Sequence, residues 1–334
     1  MEDIDVPKIV VLLECVGDPL PRFEAALDAA GIDGASVEVV ADAGVRSPED
    51  LHAAVAGASA LLAPLTIAVD AALLDAAGPG LRVVANYAVG FDNIDRTACA
   101  AREVVVCNGP PPMTEPTADV AWGLLLATIR RFQEGIDLVR TGTWGGYDAR
   151  LLLGHRLHRG TLLVVGAGRI GAAVARRSIG WEMEVLYTAR SPKPGLEAAP
   201  ISARRCELED GLRVADAVVL TTALNEETRH LMDRRRLALM KPGSVLVNVS
   251  RGPVVDEQAL AEALDAGRPM AAGLDVHEHE PRVHPALLDH PRAVLLPHIG
   301  SATHEDREDL TDICVTNIVE TLAGRVAPFV VPAP

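Results

Sequence analysis

The chain has 334 residues, 49% of them hydrophobic and 23% charged, which is ordinary for a globular protein and provides enough apolar material for two cores. Its formal net charge of -15 argues against nucleic acid or a membrane as a partner, because both attract a basic face. Five scattered cysteines without a C-x-x-C pair, no secretory signal and no apolar run long enough to span a bilayer favour a cytoplasmic protein with reduced thiols.

Short apolar runs alternate with helix-like segments along the first hundred residues. Strands are predicted at 8–14, 37–40, 58–62, 81–85 and 104–107. Helices are predicted at 20–30, 48–56 and 70–77. Apolar strands separated by helices are typical of a parallel sheet that is covered on both faces. The breaker cluster 108–113 suits a junction between domains, and 117–132 has a strong helical pattern with Thr114 or Thr117 as its cap.

A glycine-rich turn opens the second half of the chain. The apolar run 162–165 ends in Gly166, Gly168 and Gly171, spaced G-x-G-x-x-G, and an alanine-rich helix former follows. Gly166 permits a tight turn, Gly168 leaves no Cβ between the backbone and a phosphate, and Gly171 lets the helix pack close to the strand. Free N–H groups at the helix start then face the anion. This strand–turn–helix pattern predicts a dinucleotide-binding site.

The alternation of strands and helices continues towards the end of the chain. Further strands are predicted at about 183–188, 216–221, 244–249, 270–274 and 293–297. Helices are predicted at about 169–180, 228–239, 256–267 and 304–323. The last helix fits neither series, so we expect it to return to the N-terminal domain. The sequence therefore predicts an α/β protein with two doubly wound, Rossmann-like parallel-sheet domains, one of which is inserted into the other and makes it discontinuous.

Polar residues follow three of the later strands. Arg251 comes after the strand at 244–249, carboxylates at 275–280 come after the next, and His298 comes after the last. Ligands of doubly wound sheets bind beyond the carboxyl ends of the strands, so these groups are expected at one edge, beside a bound nicotinamide. An imidazolium can protonate a developing alkoxide, a carboxylate can orient the imidazole, and a guanidinium can hold a substrate carboxylate.

Several segments together resemble the D-isomer-specific 2-hydroxyacid dehydrogenases. These segments, in chain order, are 86–95, 114–119, 250–256, 273–281 and 297–303. Within the family, 186–190 and 301–304 are most similar to the glyoxylate/hydroxypyruvate reductases. The resemblance implies an enzyme that reduces a small 2-oxoacid, glyoxylate or hydroxypyruvate, to the D-2-hydroxyacid by hydride transfer from a nicotinamide cofactor.

The resemblance also implies roles for individual residues. Arg251 would hold the substrate, His298 would be the acid/base, and Glu280, rather than Glu278, would pair with His298. The backbone amides that would bind the substrate carboxylate belong to Val89 and Gly90. The remaining cofactor-binding residues, near the nicotinamide or the pyrophosphate, would be Thr117, Arg169, Ile170, Val249, Asp275 and Gly300.

The family fold implies the domain boundaries and the assembly. The dinucleotide-binding domain would comprise residues 105–300, and the discontinuous substrate-binding domain would comprise residues 1–104 and 301–334. Family members commonly form homodimers through the cofactor domain, so a homodimer is expected. Trp144 lies either in a neighbouring subunit's substrate pocket or in plain interface or core packing.

The segment after the second strand of the cofactor domain bears on the choice of nicotinamide. NAD-specific sites usually carry an acid there, which binds the ribose 2′-hydroxyl. The stretch 187–193 contains no acid, whereas Arg190, Ser191 and Lys193 could surround a 2′-phosphate. This composition favours NADP(H). NAD(H) stays possible, because Arg190 could merely stack on the adenine.

The sequence leaves some alternatives open. His277 stands where an aromatic residue is frequent in the family, and such departures leave the exact substrate open; another 2-hydroxyacid or a phosphonate-like compound is the alternative. A nicotinamide-sensing scaffold without catalysis is the alternative from another class. Six histidines fall between 277 and 304, but hydride transfer needs no metal and no metal is expected.

Overall fold

The structure is a computed structural model that describes residues 6–334 and divides into two compact units. The first unit contains the residues up to Met113 together with Ser301–Pro334, and the second contains Thr114–Gly300. Residues 1–5, which the predicted substrate-binding domain included, lie outside the described residues.

A five-stranded parallel sheet forms the centre of the first unit. Its strands are β1 Lys8–Val11, β2 Ser36–Val39, β3 Ala60–Ala63, β4 Val83–Asn86 and β5 Val105–Cys107. Their order in the sheet is β2-β1-β3-β4-β5. The helices between them are α1 Pro19–Ala30, α2 Pro48–Val55, α3 Ala71–Ala77 and α4 Arg96–Ala100. Strands β3 and β4 are buried along their whole length, as apolar strands covered on both faces should be.

The second unit is built on a larger parallel sheet. Its strands are β6 Thr161–Val165, β7 Glu184–Thr188, β8 Arg204–Arg205, β9 Ala217–Leu220, β10 Val245–Asn248, β11 Ala271–Leu274 and β12 Ala293–Leu295. The order is β12-β11-β10-β9-β6-β7-β8. Its helices are α5 Thr114–Ile129, α6 Phe132–Arg140, α7 Arg169–Arg177, α8 Pro194–Glu197, α9 Leu208–Val214, α10 Arg234–Leu237, α11 Glu257–Asp265 and α12 Pro285–Leu288.

Two apolar layers hold the second sheet between helices. Helices α5 and α7 pack on one face, while α9 and α11 pack on the other. Gly273 in β11 allows α5 to come close, because a Cβ there would lie 3.0 Å from the Cβ of Leu124. The Trp122 ring stacks on Trp181 with centroids 5.7 Å apart, and its indole N–H donates to the Val174 carbonyl. These layers fix the carboxyl ends of β10, β11 and β12 side by side.

The last helix, α13 His304–Leu322, belongs to the first unit. It packs beside α1 against the face of the sheet that carries Ile9 and Val11. The Tyr87 hydroxyl lies 2.9 Å from the Thr311 hydroxyl, and Arg82 donates to the Leu322 carbonyl at 2.9 Å. The expectation that the chain returns to its N-terminal domain is therefore confirmed, as is the α/β class with two parallel-sheet domains.

The structure contains elements that the sequence analysis did not predict, such as α4, α6, α9 and β8, and three further differences concern predicted bounds. The units meet between Met113 and Thr114, later than the predicted junction after residue 104, because β5 pairs with β4 in the first sheet. Helix α5 begins at Thr114, before the predicted start at 117. The predicted helix 228–239 is wrong except for Arg234–Leu237, since the residues before it bond to a neighbouring loop.

Candidate active site

The glycine turn after β6 has the geometry of an anion cradle. Gly166 has a φ of 97°, and a Cβ there would lie 2.6 Å from the backbone of Thr222. A Cβ on Gly171 would lie 2.4 Å from the Gly166 carbonyl oxygen. The helix that contains Gly171 can therefore pack this close to the end of β6 only because residue 171 has no side chain. The space beside Gly168 is open.

The helix that follows supplies donors to this open space. Helix α7 begins at Arg169 with Gly168 as its N-cap, and no side chain caps it. The first N–H groups of a helix have no acceptor within the helix, so those of Arg169 and Ile170 are free to bind an anion. The turn is fixed to the end of β7, because the N–H groups of Gly166 and Ala167 both donate to the Thr188 carbonyl at 3.1 Å. These residues fit a dinucleotide pyrophosphate.

A cationic corner follows β7. The side chains of Arg190 and Ser191 are exposed, and the Lys193 backbone N–H donates to the Tyr187 hydroxyl at 2.8 Å. Arg205 donates to the carbonyls of Ala189 and Arg190, at 3.0 and 3.2 Å. Sequence reasoning missed Arg205, although its place beside β7 follows from the pairing of β8 with that strand.

His298 and Glu280 form a direct acid–base pair. The His298 Nδ1 lies 2.9 Å from Glu280 Oε2, and the His277 backbone N–H donates to Glu280 Oε1 at 3.0 Å. Burial raises the pKa of Glu280, but the hydrogen bonds from His298 and from the His277 N–H outweigh burial and hold this pKa below its ordinary value. With Nδ1 engaged, Nε2 is the ring nitrogen that can exchange a proton with a ligand.

The loop that carries His298 is locked by a buried carboxylate. Asp275, 1% exposed, accepts from the backbone N–H groups of Ile299 and Gly300, both at 2.8 Å. His298 has a φ of 55°, and its N–H donates to the Asp275 carbonyl at 2.7 Å. A Cβ on Gly300 would lie 2.8 Å from the Asp275 carboxylate and 3.4 Å from Thr117. Thr117, Asp275 and Gly300, predicted near the nicotinamide, are therefore neighbours.

Arg251 follows β10, the strand next to β11. Asn248 donates its side-chain amide to the Arg251 carbonyl at 2.9 Å, and the Arg251 guanidinium donates to the Ser250 carbonyl at 2.8 Å. Val249, which follows Asn248 in the chain, is buried. Because β10, β11 and β12 are parallel neighbours, the loops with Arg251, Glu280 and His298 leave the same edge of the sheet.

In the first unit, the loop after β4 presents backbone N–H groups. Asn108 donates its side-chain amide to the Val89 carbonyl at 2.7 Å, and Asn86 donates to the Gly90 carbonyl at 2.6 Å. In a trans peptide the carbonyl and the next N–H point in opposite directions, so fixing the Val89 carbonyl also orients the Gly90 N–H. The two asparagines that arrange this loop were not singled out from the sequence, although Asn86 opens one of the motifs.

Two further findings concern the described residues 6–334. Nowhere among them do three His, Cys, Asp or Glu side chains come together in the way that a bound metal ion requires. None of their helices is both long and apolar enough to cross a membrane.

Comparison with known proteins identifies the class. Residues 122–300 match the family model described as D-isomer specific 2-hydroxyacid dehydrogenase, NAD binding domain. A glyoxylate reductase of Thermococcus onnurineus is 42% identical over 299 residues, which cover 88% of this chain and 89% of that protein. The glyoxylate/hydroxypyruvate reductase B of Klebsiella pneumoniae is 45% identical over 260 residues, which cover 77% of this chain and 80% of that protein.

A solved structure agrees with these relatives. The NADPH-dependent glyoxylate/hydroxypyruvate reductase of Sinorhizobium meliloti, in complex with NADP and malonate, superposes with a TM-score of 0.81 and 31% identity, covering 98% of this chain and 97% of the other. The chain belongs to the D-isomer specific 2-hydroxyacid dehydrogenase family, and the resemblance predicted from the sequence is confirmed. Its second unit is the family's nicotinamide-cofactor domain.

Proposed function

We propose that this enzyme reduces glyoxylate or hydroxypyruvate to the D-2-hydroxyacid, with His298 as the proton donor. The observation that carries the proposal is the His298–Glu280 pair at 2.9 Å, held at the carboxyl edge of a nicotinamide-binding sheet. The names of the relatives support this substrate class, since several at 40–45% identity are glyoxylate or glyoxylate/hydroxypyruvate reductases. When bound, the reduced nicotinamide supplies the hydride that adds to the carbonyl carbon of the oxoacid.

The protein's own side chains and backbone amides then supply the proton and stabilise the charges of the reaction. As the carbonyl carbon gains the hydride, the oxygen becomes an alkoxide and takes the proton from Nε2 of doubly protonated His298. The Glu280 carboxylate stabilises the imidazolium before transfer and keeps the ring oriented afterwards. We propose that Arg251 binds the substrate's carboxylate and carbonyl oxygen, and that the amides of Val89 and Gly90 bind its carboxylate. In oxidation, neutral His298 takes the proton back.

We propose that NADPH is preferred over NADH. The stretch 187–193 offers no carboxylate for a ribose 2′-hydroxyl, whereas Arg190, Ser191 and Lys193 can neutralise and bind a 2′-phosphate. Arg205 strengthens the argument, because its guanidinium holds the backbone of Ala189 and Arg190 and adds a third cation to the corner. The Sinorhizobium relative named as NADPH-dependent is consistent with this preference.

The test is the loss of absorbance at 340 nm with glyoxylate or hydroxypyruvate, run in parallel with NADPH and NADH. We expect turnover, faster with NADPH, and a loss of at least about 100-fold in kcat/KM in His298→Ala. His279→Ala, which removes an exposed histidine from the same region, is the matched control and should keep full activity. Turnover with NADH alone would contradict the proposed cofactor preference. Cofactor binding without turnover of any 2-oxoacid would favour the non-catalytic scaffold instead.

We also propose that the protein is a homodimer formed through its second unit. Helix α6 buries none of its residues, and Phe132, Ile136 and Val139 lie on one of its faces, 50%, 43% and 64% exposed. Trp144, 55% exposed, extends this apolar surface. Light scattering after size exclusion should show a dimer that becomes a monomer in Val139→Glu but not in Val326→Glu, which changes a still more exposed valine of the first unit. A monomeric wild type would contradict the proposal.

The five thiols support a cytoplasmic location, the remaining part of the proposal. All of them are free in the structure, as expected for a protein of a reducing compartment. Fractionation of the source cells would test the location, and recovery from a secreted fraction would contradict it.

A further inference from the structure

A second acid–histidine pair lies buried next to the His298–Glu280 pair. His277 and Glu257, the first residue of α11, have side chains only 5% and 3% exposed. The His277 Nε2 lies 3.0 Å from the Leu296 carbonyl oxygen, and its Nδ1 lies 3.6 Å from Glu257 Oε1. An aromatic residue is frequent in the family at position 277, so a histidine paired with Glu257 there departs from the frequent pattern.

The surroundings of the ring determine its charge. A carbonyl oxygen only accepts, so Nε2 must carry a proton to bond with Leu296. Nδ1 is buried without a well-formed hydrogen bond, and the group that faces it is a carboxylate oxygen. A neutral ring would turn a lone pair towards that carboxylate, whereas a doubly protonated ring satisfies both acceptors. His277 is therefore an imidazolium enclosed by protein.

The pKa shifts of the pair agree with this geometry. Burial lowers the pKa of His277, but the nearby Glu257 carboxylate and the hydrogen bond to the Leu296 carbonyl outweigh it and leave the pKa raised. Burial raises the pKa of Glu257, but His277 and the Glu278 N–H, which donates at 3.0 Å, leave it lowered. One oxygen of Glu278 lies 2.6 Å from His230 Nε2, and the other accepts from the Glu257 backbone N–H at 3.4 Å.

His277 is linked to the acid–base pair through its own backbone. Its N–H is the group that donates to Glu280 Oε1, while Glu280 Oε2 meets His298. The backbone at 277 packs directly against Gly252, next to Arg251, where a Cβ would lie only 1.9 Å from the His277 carbonyl carbon. One residue therefore carries a positive charge near Glu280 and one of the donors that orient it.

We propose that His277 is a positioning residue, a buried cation that keeps Glu280 ionised and directed at His298. The proposal rests on the roles proposed above for Glu280 and His298. Two histidines, His277 and His298, face the Glu280 carboxylate. His277 also faces the Glu257 carboxylate. The remaining titratable groups of the cluster are Glu278 and His230, which pair with each other. An aromatic residue at 277 would provide packing and the backbone N–H but no charge.

The sharpest test is the pH profile of kcat/KM for reduction in His277→Gln and His277→Phe. Glutamine keeps a donor for the Leu296 carbonyl but cannot be charged, so it isolates the effect of the charge. Without the cation Glu280 takes up a proton at higher pH, so the acid limb should move to higher pH and kcat/KM along that limb should fall. His230→Gln, which changes only the partner of Glu278, should leave the limb in place. An acid limb unchanged in folded His277→Gln and His277→Phe would overturn the proposal.

A second measurement does not depend on turnover. Nitrogen-15 spectra of histidine side chains distinguish an imidazolium from a neutral ring, and the His277 signal is the one that disappears in His277→Phe. We expect this ring to lose its second proton only above pH 6.5, the ordinary pKa of histidine, whereas a ring that is mostly neutral at pH 6.5 would overturn the proposal. If the wild-type enzyme reduced no 2-oxoacid, the proposed function and the positioning role would fail together, while the spectrum would still decide the charge.

Discussion

The two units hold their functional loops by different chemistry. In the first unit, the loop after β4 is fixed by neutral amides, with Asn86 and Asn108 donating to the carbonyls of Gly90 and Val89. In the second unit, carboxylates fix the loops that carry Glu280 and His298, with Asp275 and Glu280 accepting from backbone N–H groups. In the first unit the asparagine donors bind loop carbonyls, so loop N–H groups remain available for a substrate anion. In the second unit the carboxylates bind loop N–H groups, so a histidine lies beside negative charge.

This difference suits what each loop is proposed to do. A site for a carboxylate needs outward N–H groups and gains nothing from nearby anions, which would repel the ligand. A proton donor needs the opposite, since negative charge favours the imidazolium. Replacing an amide by a carboxylate in the first unit, or a carboxylate by an amide in the second, should therefore be costly. Two predictions test these exchanges and a third tests the effect of charge in the second unit, from the largest expected effect to the smallest.

Asn86→Asp should have the largest effect. Asn86 is fully buried, and its amide nitrogen donates both to the Gly90 carbonyl and to the Asn93 side-chain oxygen. A carboxylate would place an acceptor against two acceptors and bury an uncompensated charge, which should destabilise the first unit by about 3–5 kcal/mol. Urea unfolding followed by circular dichroism would measure this.

The matched control for this prediction is Asn225→Asp. The Asn225 side-chain oxygen accepts from the N–H groups of Glu227 and Thr228 on an exposed turn, a role that a carboxylate performs equally well. Its effect should stay within about 0.5 kcal/mol. Equal effects of the two substitutions would contradict the view that the β4 loop depends on neutral donors.

Asp275→Asn should have the next largest effect. The new amide nitrogen would face one of the two N–H groups that the carboxylate now binds, at Ile299 or Gly300. We expect a loss of about 2–3 kcal/mol and a fall in kcat/KM, because the loop that holds His298 would loosen. All three tryptophans lie in the second unit, so their fluorescence reports its unfolding.

Asp256→Asn is the control for this second exchange. Asp256 caps α11 by accepting from the Ala259 N–H, and asparagine caps helices as well as aspartate does. Its stability should therefore stay near that of the wild type. A wild-type-like Asp275→Asn protein would show that one acceptor suffices to hold the loop.

The sequence predicts most of the scaffold and the place of the active residues. Apolar runs between helix formers indicate buried parallel strands, and Arg251 and His298 follow such strands directly, so their common edge was predictable. The predicted helix 228–239 fails because His230 and Met232 donate to the carbonyls of Pro253 and Val254 instead of continuing a helix. That competition comes from a distant loop and leaves no local signal.

Which polar side chains of the site contact each other was harder to predict than where these side chains lie in the fold. Glu278 and Glu280 are two residues apart, and their spacing alone does not show which of them meets His298; the family resemblance indicates Glu280, and the structure places Glu278 beside His230. The Glu257–His277 pair joins residues twenty positions apart, through a tertiary contact that no periodicity reveals. Spacing thus locates polar groups at an edge, whereas packing decides which of them meet.

The smallest predicted effect is the pH dependence of stability that the Glu257–His277 pair contributes. The pKa of His277 is raised above its ordinary 6.5, so its stabilisation is complete below that pH and is lost as the pH rises through the folded-state pKa. The pKa of Glu257 is lowered from 4.5, so its stabilisation is present above that pH and is lost as the pH falls through the folded-state pKa. The pair should therefore stabilise the second unit most between about pH 4.5 and 6.5.

Unfolding in urea at pH 5.5, 7 and 9, followed by tryptophan fluorescence, tests this in wild type and His277→Gln. The difference in unfolding free energy should be largest at pH 5.5 and shrink towards pH 9, because His277 loses its second proton over this range. A difference that stays constant across this range would show that His277 acts by packing alone. Charge would then matter in the second unit only at Asp275 and Glu280, and the difference between the two units would depend on these two carboxylates alone.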